Sequence, residues 1–168
     1  MTATYDRIAT TTLGSATRTV TLASIPATYT DLRLVISNTK HSFAGSGKVF
    51  DSVMQFNNDT GNNYSITTLV GNGTSASSSR NTNSPDVGID WPQASSDPAL
   101  FTFDIMNYSN TTTYKTVIYR GNITNSQVAA YVSLWRNTAA ISEIDITVSA
   151  TYTISAGTVI TLYGIKSE

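Results

Sequence analysis

Apolar and polar residues alternate along much of this chain with a period of two. An apolar side chain occupies every second position in residues 32–37, and the same spacing recurs in residues 101–105 and 144–148. Successive side chains of a β-strand point to opposite faces, so this spacing collects the apolar side chains on one face. We therefore predict three half-buried strands, each with one face toward a core and the other toward water.

Weaker alternation marks further short strands elsewhere in the chain. They are predicted at residues 5–12, 18–23, 50–57, 64–70, 87–91, 114–120, 128–136 and 159–166. Turn-forming residues fill the gaps, for example Ala-Gly-Ser-Gly at 44–47 and Asn-Tyr-Ser-Asn at 107–110. No window of helical length shows the 3.6-residue period. The pattern predicts an all-β protein of roughly ten short strands, an antiparallel β-sandwich of jelly-roll type.

The length of 168 residues is typical of one domain, and the chain shows neither an internal repeat nor a linker. We predict a single β-sandwich domain over residues 1–168. The region from about 71 to 98 is rich in Ser and Asn and contains Pro85, Pro92 and Pro98. It is predicted to form long surface loops on either side of the short strand at 87–91.

Composition narrows the classes of function. Only 12% of the residues are charged, and the formal net charge is −1 with the basic residues scattered singly. Because no stripe of Lys and Arg is present, binding to nucleic acid or to an anionic membrane is not expected. The chain has no cysteine, which excludes a disulfide scaffold, a thiolate zinc site and a cysteine nucleophile. The first residues lack the features of a signal peptide and no run reaches the ~18 apolar residues of a membrane span, so we expect assembly in a cytoplasm.

Signals for catalysis or metal binding are weak. His41 is the only histidine, and the residues around it carry no metal-ligand spacing or nucleophile motif, so a solvated loop is expected. Glu143 and Asp145 face the same way on one predicted strand, the crude geometry of a glycosidase pair, but they lie on its wet face. Asp59 lies in an Asn-rich turn that lacks the further acidic residue of a calcium loop, so a turn stabilised by its own side chains is expected. We predict no enzyme, no catalytic residue, no metal and no cofactor.

Aromatic side chains are stronger candidates for recognition. The chain has nine tyrosines and two tryptophans, whose rings combine an apolar body with a polar group and suit wet interfaces or stacking against sugars. Trp91, Tyr108 and Tyr114 fall near predicted loops or strand ends, so they are expected to be exposed and are the predicted glycan contacts if the protein recognises a glycan. Trp135 and Tyr163 alternate within strands and are expected in the core or at a subunit contact.

A set of stretches resembles a known family when taken in order. They are Thr-Tyr-Asp-Arg-Ile-Ala-Thr-Thr-Thr-Leu at 4–13, residues 20–34, the stretch from Phe-Asn to Tyr-Ser at 56–65, Asp-Ile-Met-Asn-Tyr-Ser-Asn at 104–110, and 157–166 with its Leu-Tyr-Gly-Ile-Lys. Their order is similar to that of small virion structural proteins of tailed bacteriophages, many of which infect cyanobacteria and other marine bacteria. The likeness spans most of the chain, although no single stretch is a mechanistic signature.

The resemblance implies a structural component of the virion, with no family catalytic residues to carry over. Two locations remain open: a capsid decoration (cement) protein, or a tail fibre or baseplate module that recognises a host surface glycan. The chain has no coiled-coil stem and no collagen-like run to project a fibre tip, which favours a compact module on the capsid surface. The expected partners are the major capsid protein and other virion proteins, with a homotrimer as the expected assembly by analogy. The predicted protein contacts are Tyr5, Arg7, Trp91 and Tyr108.

Overall fold

The computed structural model describes residues 4–40, 48–92, 98–123, 127–149 and 152–166, with only the backbone at 48–51, 90–92 and 123. These residues form twelve β-strands and no helix. The strands are β1 (Tyr5–Thr12), β2 (Thr19–Leu22), β3 (Asp31–Thr39), β4 (Lys48–Phe56), β5 (Tyr64–Gly71), β6 (Ala76–Ser84), β7 (Val87–Pro92), β8 (Ala99–Met106), β9 (Lys115–Ile123), β10 (Gln127–Trp135), β11 (Ile144–Val148) and β12 (Val159–Ile165). The all-β prediction is confirmed, and each predicted strand has an observed counterpart.

Strand β6 corrects the predicted loop region at 71–98. It spans Ala76–Ser84 and pairs in antiparallel register with β5, from Gly71 opposite Ala76 to Tyr64 opposite Ser84. Its sequence is almost wholly Ser, Asn, Thr and Arg, and nearly all of its side chains are exposed. A strand with water on both faces needs no apolar alternation, so the hydrophobic pattern gave no signal for it. Strand β7 confirms the prediction at 87–91, and residues 93–97 of this region lie outside the described residues.

The strands form two antiparallel sheets. The larger has eight strands in the order β1-β12-β3-β8-β9-β10-β5-β6, and the smaller has four in the order β2-β11-β4-β7. The two sheets share one apolar core, so the predicted β-sandwich is confirmed. Its jelly-roll type stays a prediction. The chain crosses repeatedly between the sheets, but strand numbers of eight and four differ from a jelly roll of about eight strands in all.

The core lies between the sheets and is built by the alternation that the sequence displays. The larger sheet contributes Leu32, Leu34, Ile36, Phe101, Phe103 and Ile105, and the smaller sheet contributes Leu22, Met54, Phe56, Ile144, Ile146 and Val148, all buried. Burying one such side chain stabilises the fold by about 1.5–3 kcal/mol relative to leaving it in water. Because these contacts join strands that are distant in sequence, the core also fixes which strands pair.

A ladder of aromatic rings crosses the inner face of the larger sheet. Phe103, Tyr119 and Tyr131 lie directly opposite one another on β8, β9 and β10. The ring centroids are 4.9 Å apart for Phe103 and Tyr119, and 4.2 Å apart for Tyr119 and Tyr131. The Tyr119 hydroxyl also donates a hydrogen bond to the Gly88 carbonyl of β7. The ladder therefore holds three strands of one sheet together and ties them to the edge of the other.

Candidate functional site: the outer patch and the edge groove

The outer face of the eight-stranded sheet, which points away from the core, carries exposed apolar side chains. Val128 is 63% exposed, Leu69 60%, Val132 50%, Leu100 48% and Ile118 41%. These five residues, on the neighbouring strands β5, β8, β9 and β10, are called the outer patch below. Single exposed apolar residues are ordinary, but a contiguous group on one sheet face is a candidate surface for contact with another molecule.

The strand register makes the outer patch continuous. Val132 lies directly opposite Ile118, and Leu69 lies opposite Ala130, which stands between Val128 and Val132 on β10. Opposed side chains of an antiparallel pair are about 4.5–5.5 Å apart at Cβ, close enough to contact. Val128 lines one shallow depression with Leu69 and another with Leu100. The patch is therefore one surface on a hydrogen-bonded sheet, with Ala130 and Arg120, which lie directly opposite each other, in its middle.

Sequence reasoning missed the outer patch although β10 carries a signal for it. The inward residues of this strand include Tyr131 and Trp135, while the outward positions 128, 130, 132 and 134 are also apolar. A strand that is apolar in both registers is typical of one covered on both faces. The four-stranded sheet covers only the inner face of β10, so its outer face is left exposed.

The predicted contact residues Tyr5 and Arg7 lie on edge strand β1 of the same sheet. Tyr5 is 45% exposed, and its ring packs edge-on against Tyr163 with centroids 6.4 Å apart. The guanidinium of Arg33 lies 5.5 Å from the Tyr5 ring centroid and forms an ion pair with Asp104, with Nε and Oδ1 2.6 Å apart. A polar and aromatic rim thus lies between edge strand β1 and the outer patch.

The expectation that Tyr108 is exposed is wrong. Its side chain is 0% exposed, and its hydroxyl donates a hydrogen bond to the Pro26 carbonyl and accepts one from the Tyr29 amide. Burial also raises the pKa of Tyr108. Although Tyr108 follows a strand end, the 26–29 segment folds over its ring, so it offers no surface to a protein or a glycan.

The other predicted glycan contacts are Tyr114 and Trp91. Tyr114 is 52% exposed. Trp91 lies in β7, where its backbone pairs with Val49 of β4, but its side chain is outside the described residues. Trp135 is fully buried, as expected for a core residue. Of the three predicted glycan contacts, only Tyr114 is therefore observed at the surface.

Asp59 is the centre of a structural network. Its carboxylate accepts hydrogen bonds from Trp135 Nε1 at 2.7 Å, Asn63 Nδ2 at 3.0 Å and the Gly61 amide at 3.0 Å. Burial alone would raise the pKa of Asp59, but the hydrogen bonds from Trp135, Asn63 and Gly61 together lower it. The expected turn, stabilised by its own Asn and Asp side chains, is confirmed.

The remaining candidate groups have structural partners or lie outside the described residues. Asp145 accepts a hydrogen bond from Thr21 Oγ1 at 2.6 Å, and Glu143 accepts one from Asn58 Nδ2. His41 lies outside the described residues. Within the described ranges no three acidic or histidine side chains lie close enough together to hold a metal ion. The same residues form no helix that is long and apolar enough to cross a membrane.

A second surface feature is a groove between β6 and β7, called the edge groove below. β6 is the last strand of the larger sheet and β7 the last strand of the smaller one, so the sandwich is open on this side. The groove has a volume of about 440 Å³. Ile66 and Val70 of β5 and Ile89 of β7 form its apolar floor.

The wall of the edge groove is polar. Ser77, Ser79 and Asn81 of β6 line it with Asp86, whereas Arg80, although it borders the groove, is opposite Thr67 and shares the outer face of the sheet. Burial raises the pKa of Asp86 from 3.8 to about 6. Its carboxylate has no hydrogen-bond partner within the part of the chain that the structure describes, which accounts for the direction of this change.

No protein-family model and no curated protein matches the chain. The resemblance to phage virion proteins remains an expectation from sequence. The physical evidence on function comes from the outer patch and the edge groove.

Asp86 makes the stability of the fold depend on pH. Because its pKa is higher in the folded state, the folded protein binds more protons than the unfolded chain between pH 3.8 and about 6, and the free energy of unfolding falls as pH rises through this window. Asp86→Asn removes the charge, so we expect it to stabilise the protein by about 1–2 kcal/mol at pH 7, less than the full pKa difference because water still reaches the carboxylate. Urea denaturation at pH 4 and pH 7 measures the effect, which should shrink toward zero at pH 4.

Asp104→Asn is the control for this prediction. The Asp104 carboxylate is paired with Arg33, so its removal is not expected to stabilise the protein at pH 7. Equal pH dependence of the Asp86→Asn variant and the parent would contradict a desolvated carboxylate at this position.

Proposed function

We propose that this chain is a non-enzymatic virion structural protein of a tailed bacteriophage, a capsid decoration protein that binds junctions between capsomers and stabilises the head. The partner is the major capsid protein, and the decorating unit is a homotrimer. The family resemblance of the sequence supplies the biological setting. The outer patch is the observation that carries the proposal, because it is a surface suited to a protein partner.

The outer patch has the chemistry of an interface centre. The patch is largely aliphatic, with Arg120 in its middle, opposite Ala130, and Asp104 opposite Ile118 at its side. Protein interfaces are enriched in Arg and depleted of the other charged residues, so one Arg among aliphatic side chains fits an interface. The patch lies on four interior strands of one sheet, each paired on both sides. A surface held this way loses little conformational freedom on binding, which favours affinity.

Head stabilisation follows from mass action. A protein that binds the assembled shell but not its separated subunits stabilises the shell by its own binding free energy. A decoration protein needs no reacting group for this role. It needs a surface that matches two neighbouring capsomers at once.

Strand β1 offers a second contact. It is the first strand of the eight-stranded sheet and pairs only with β12 among the described strands. Its free edge presents backbone donors and acceptors to which a neighbouring chain can add a strand. Tyr5 and Arg7 on this strand would then contact the adjoining subunit.

The copy number per particle tests the proposed location. Quantitative mass spectrometry of purified virions, with the major capsid protein as the internal standard, should find copies on the scale of the capsomers. A few copies per particle would overturn the decoration role and favour a tail fibre or baseplate module that recognises host glycan.

The outer patch itself is tested by charge insertion. We expect Val132→Lys to reduce binding of the purified protein to undecorated particles about tenfold or more, equivalent to about 1.4 kcal/mol, because binding would bury an unpaired ammonium. Sedimentation of particles with the bound protein measures the effect.

Thr111→Lys is the matched control, since it adds the same charge to an exposed turn between β8 and β9. Its binding should stay within about twofold of the parent protein, or about 0.4 kcal/mol. Equal particle binding by the Val132→Lys variant and the parent would exclude the outer patch as the capsid contact.

A further inference from the structure

We propose that the edge groove between β6 and β7 binds a neutral saccharide of one or two sugar units. This site goes beyond capsid decoration, because the edge groove lies at the open side of the sandwich while the outer patch covers the opposite face of the larger sheet. It also differs from the predicted aromatic platform, since its lining includes none of Trp91, Tyr108 and Tyr114, and its aromatic lining residue, Tyr131, is only 4% exposed.

The size and shape of the groove suit a small ligand. Its volume of about 440 Å³ falls within the range of about 300–1,000 Å³ that is typical of ligand sites. Ile89 in the floor is 1% exposed and therefore fixed in the core. The turn at Pro85 and Asp86 joins β6 directly to β7, so the two walls are held at a set distance.

The lining matches the two kinds of surface on a sugar ring. Ile66 and Val70, both partly exposed, offer an apolar floor to the C–H face of the ring, and the buried Ile89 supports it from the core. Ser77 and Ser79 offer hydroxyl groups that both donate and accept hydrogen bonds, as ring hydroxyls do. Ligand sites generally combine such an apolar base with a few placed polar groups.

The polar groups in the groove favour a neutral ligand. Asp86, when ionised, only accepts hydrogen bonds, whereas the Asn81 amide both donates and accepts them, so together they can bind hydroxyl groups of either orientation. An anionic ligand would meet the Asp86 carboxylate, whereas the hydroxyl groups of a polyol can donate to it without bringing a second charge into the partly buried groove.

The Asp86 carboxylate favours the binding of hydroxyl donors in the groove. Its carboxylate is half-buried and accepts no hydrogen bond from the described residues. A partly desolvated carboxylate is stabilised by any donor that reaches it. Sugar hydroxyl groups supply such donors, and binding to them would favour the ionised form.

Titration of the ¹⁵N-labelled protein with single sugars tests the site. The probes are glucose, galactose, mannose, N-acetylglucosamine, maltose and lactose at millimolar concentrations, with glucosamine and sialic acid as charged comparisons. At least one neutral probe should cause saturable amide shifts confined to residues 66–70, 77–81 and 86–89. Charged probes alone causing these shifts would overturn the neutral class, and shifts confined to other surfaces, or none with any probe, would overturn the site.

A pair of variants on β6 separates the groove from the rest of the surface. Ser79→Trp should fill the groove and abolish the shifts. Ser78→Trp adds the same ring to the neighbouring residue, which does not line the groove, and should leave the affinity within about twofold. Equal binding by both variants would overturn the assignment.

Asp86→Asn provides a third variant with a different readout. It is expected to fold at least as stably as the parent at pH 7, so a weaker affinity would report the lost carboxylate rather than unfolding. We expect about a tenfold loss of affinity, typical of one charge-assisted hydrogen bond. Particle binding should be unchanged in this variant, which keeps failure of the groove distinct from failure of the decoration role.

Discussion

Trp135→Ala is expected to lower the free energy of unfolding by about 3–5 kcal/mol, the range for removing a large buried aromatic side chain. The Trp135 ring is 0% exposed and packs against Phe56 and Tyr64, with centroid distances of 5.5 Å and 6.3 Å. The substitution leaves a cavity between the sheets and removes the indole N–H bond to Asp59. Urea denaturation followed by far-UV circular dichroism measures the loss without relying on tryptophan fluorescence.

Two companion variants separate packing from hydrogen bonding. Trp135→Phe keeps an aromatic ring but loses the hydrogen-bond donor to Asp59. We expect this loss to lower the free energy of unfolding by about 1–2 kcal/mol, in addition to the cost of the changed packing. Val132→Ala, on the outer face of the same strand and 50% exposed, should cost less than about 1 kcal/mol. A Trp135→Ala variant no less stable than Val132→Ala would show that this ring does not anchor the core.

Gly121→Ala is expected to destabilise the protein by about 1–3 kcal/mol, although alanine suits a strand interior at least as well as glycine does. Gly121 lies directly opposite Phe101, and a Cβ atom at this position would stand 2.3 Å from two atoms of the Phe101 ring. That distance is far below van der Waals contact, so the ring or the backbone of β9 must move. Thermal and urea denaturation of the variant measure the cost.

The steric origin of this effect can be isolated. In Phe101→Leu the ring is absent, so adding Gly121→Ala should cost less than it does in the parent protein, giving a coupling energy of about 1 kcal/mol or more. Gly14→Ala is the matched control, since a Cβ there has no atom within 4 Å, and its effect should stay within about 0.5 kcal/mol. Additive effects of the Phe101 and Gly121 substitutions would contradict the proposed clash.

The strands with the clearest alternation were predictable because alternation is a property of residues that are neighbours in sequence. The segments predicted at 32–37, 101–105 and 144–148 form β3, β8 and β11, with their apolar residues in the core. Each needs only its own period of two to define an inner and an outer face. Strand β6 was not predictable in this way, because backbone pairing with β5 and not apolar burial determines it.

The candidate surfaces were harder to predict because they depend on contacts between distant residues. Tyr108 was expected at the surface from its place after a strand, but its hydroxyl bonds to Pro26, 82 positions away. The edge groove combines residues of β5, β6, β7 and β10, and Asp86 is desolvated only because these strands meet. No local pattern in the sequence specifies which strands come together in this way.

The sequence by itself determined that the chain forms antiparallel strands and which side chains share a face of each strand. Only the tertiary structure decided which of those faces would be covered. A sheet of four strands packs on one side of a sheet of eight. The apolar outer side of β10 and nearly all of the polar side chains of β6 therefore stay in water. The physical reason is that alternation is a property of neighbouring residues, whereas coverage depends on the long-range pairing of strands into two unequal sheets.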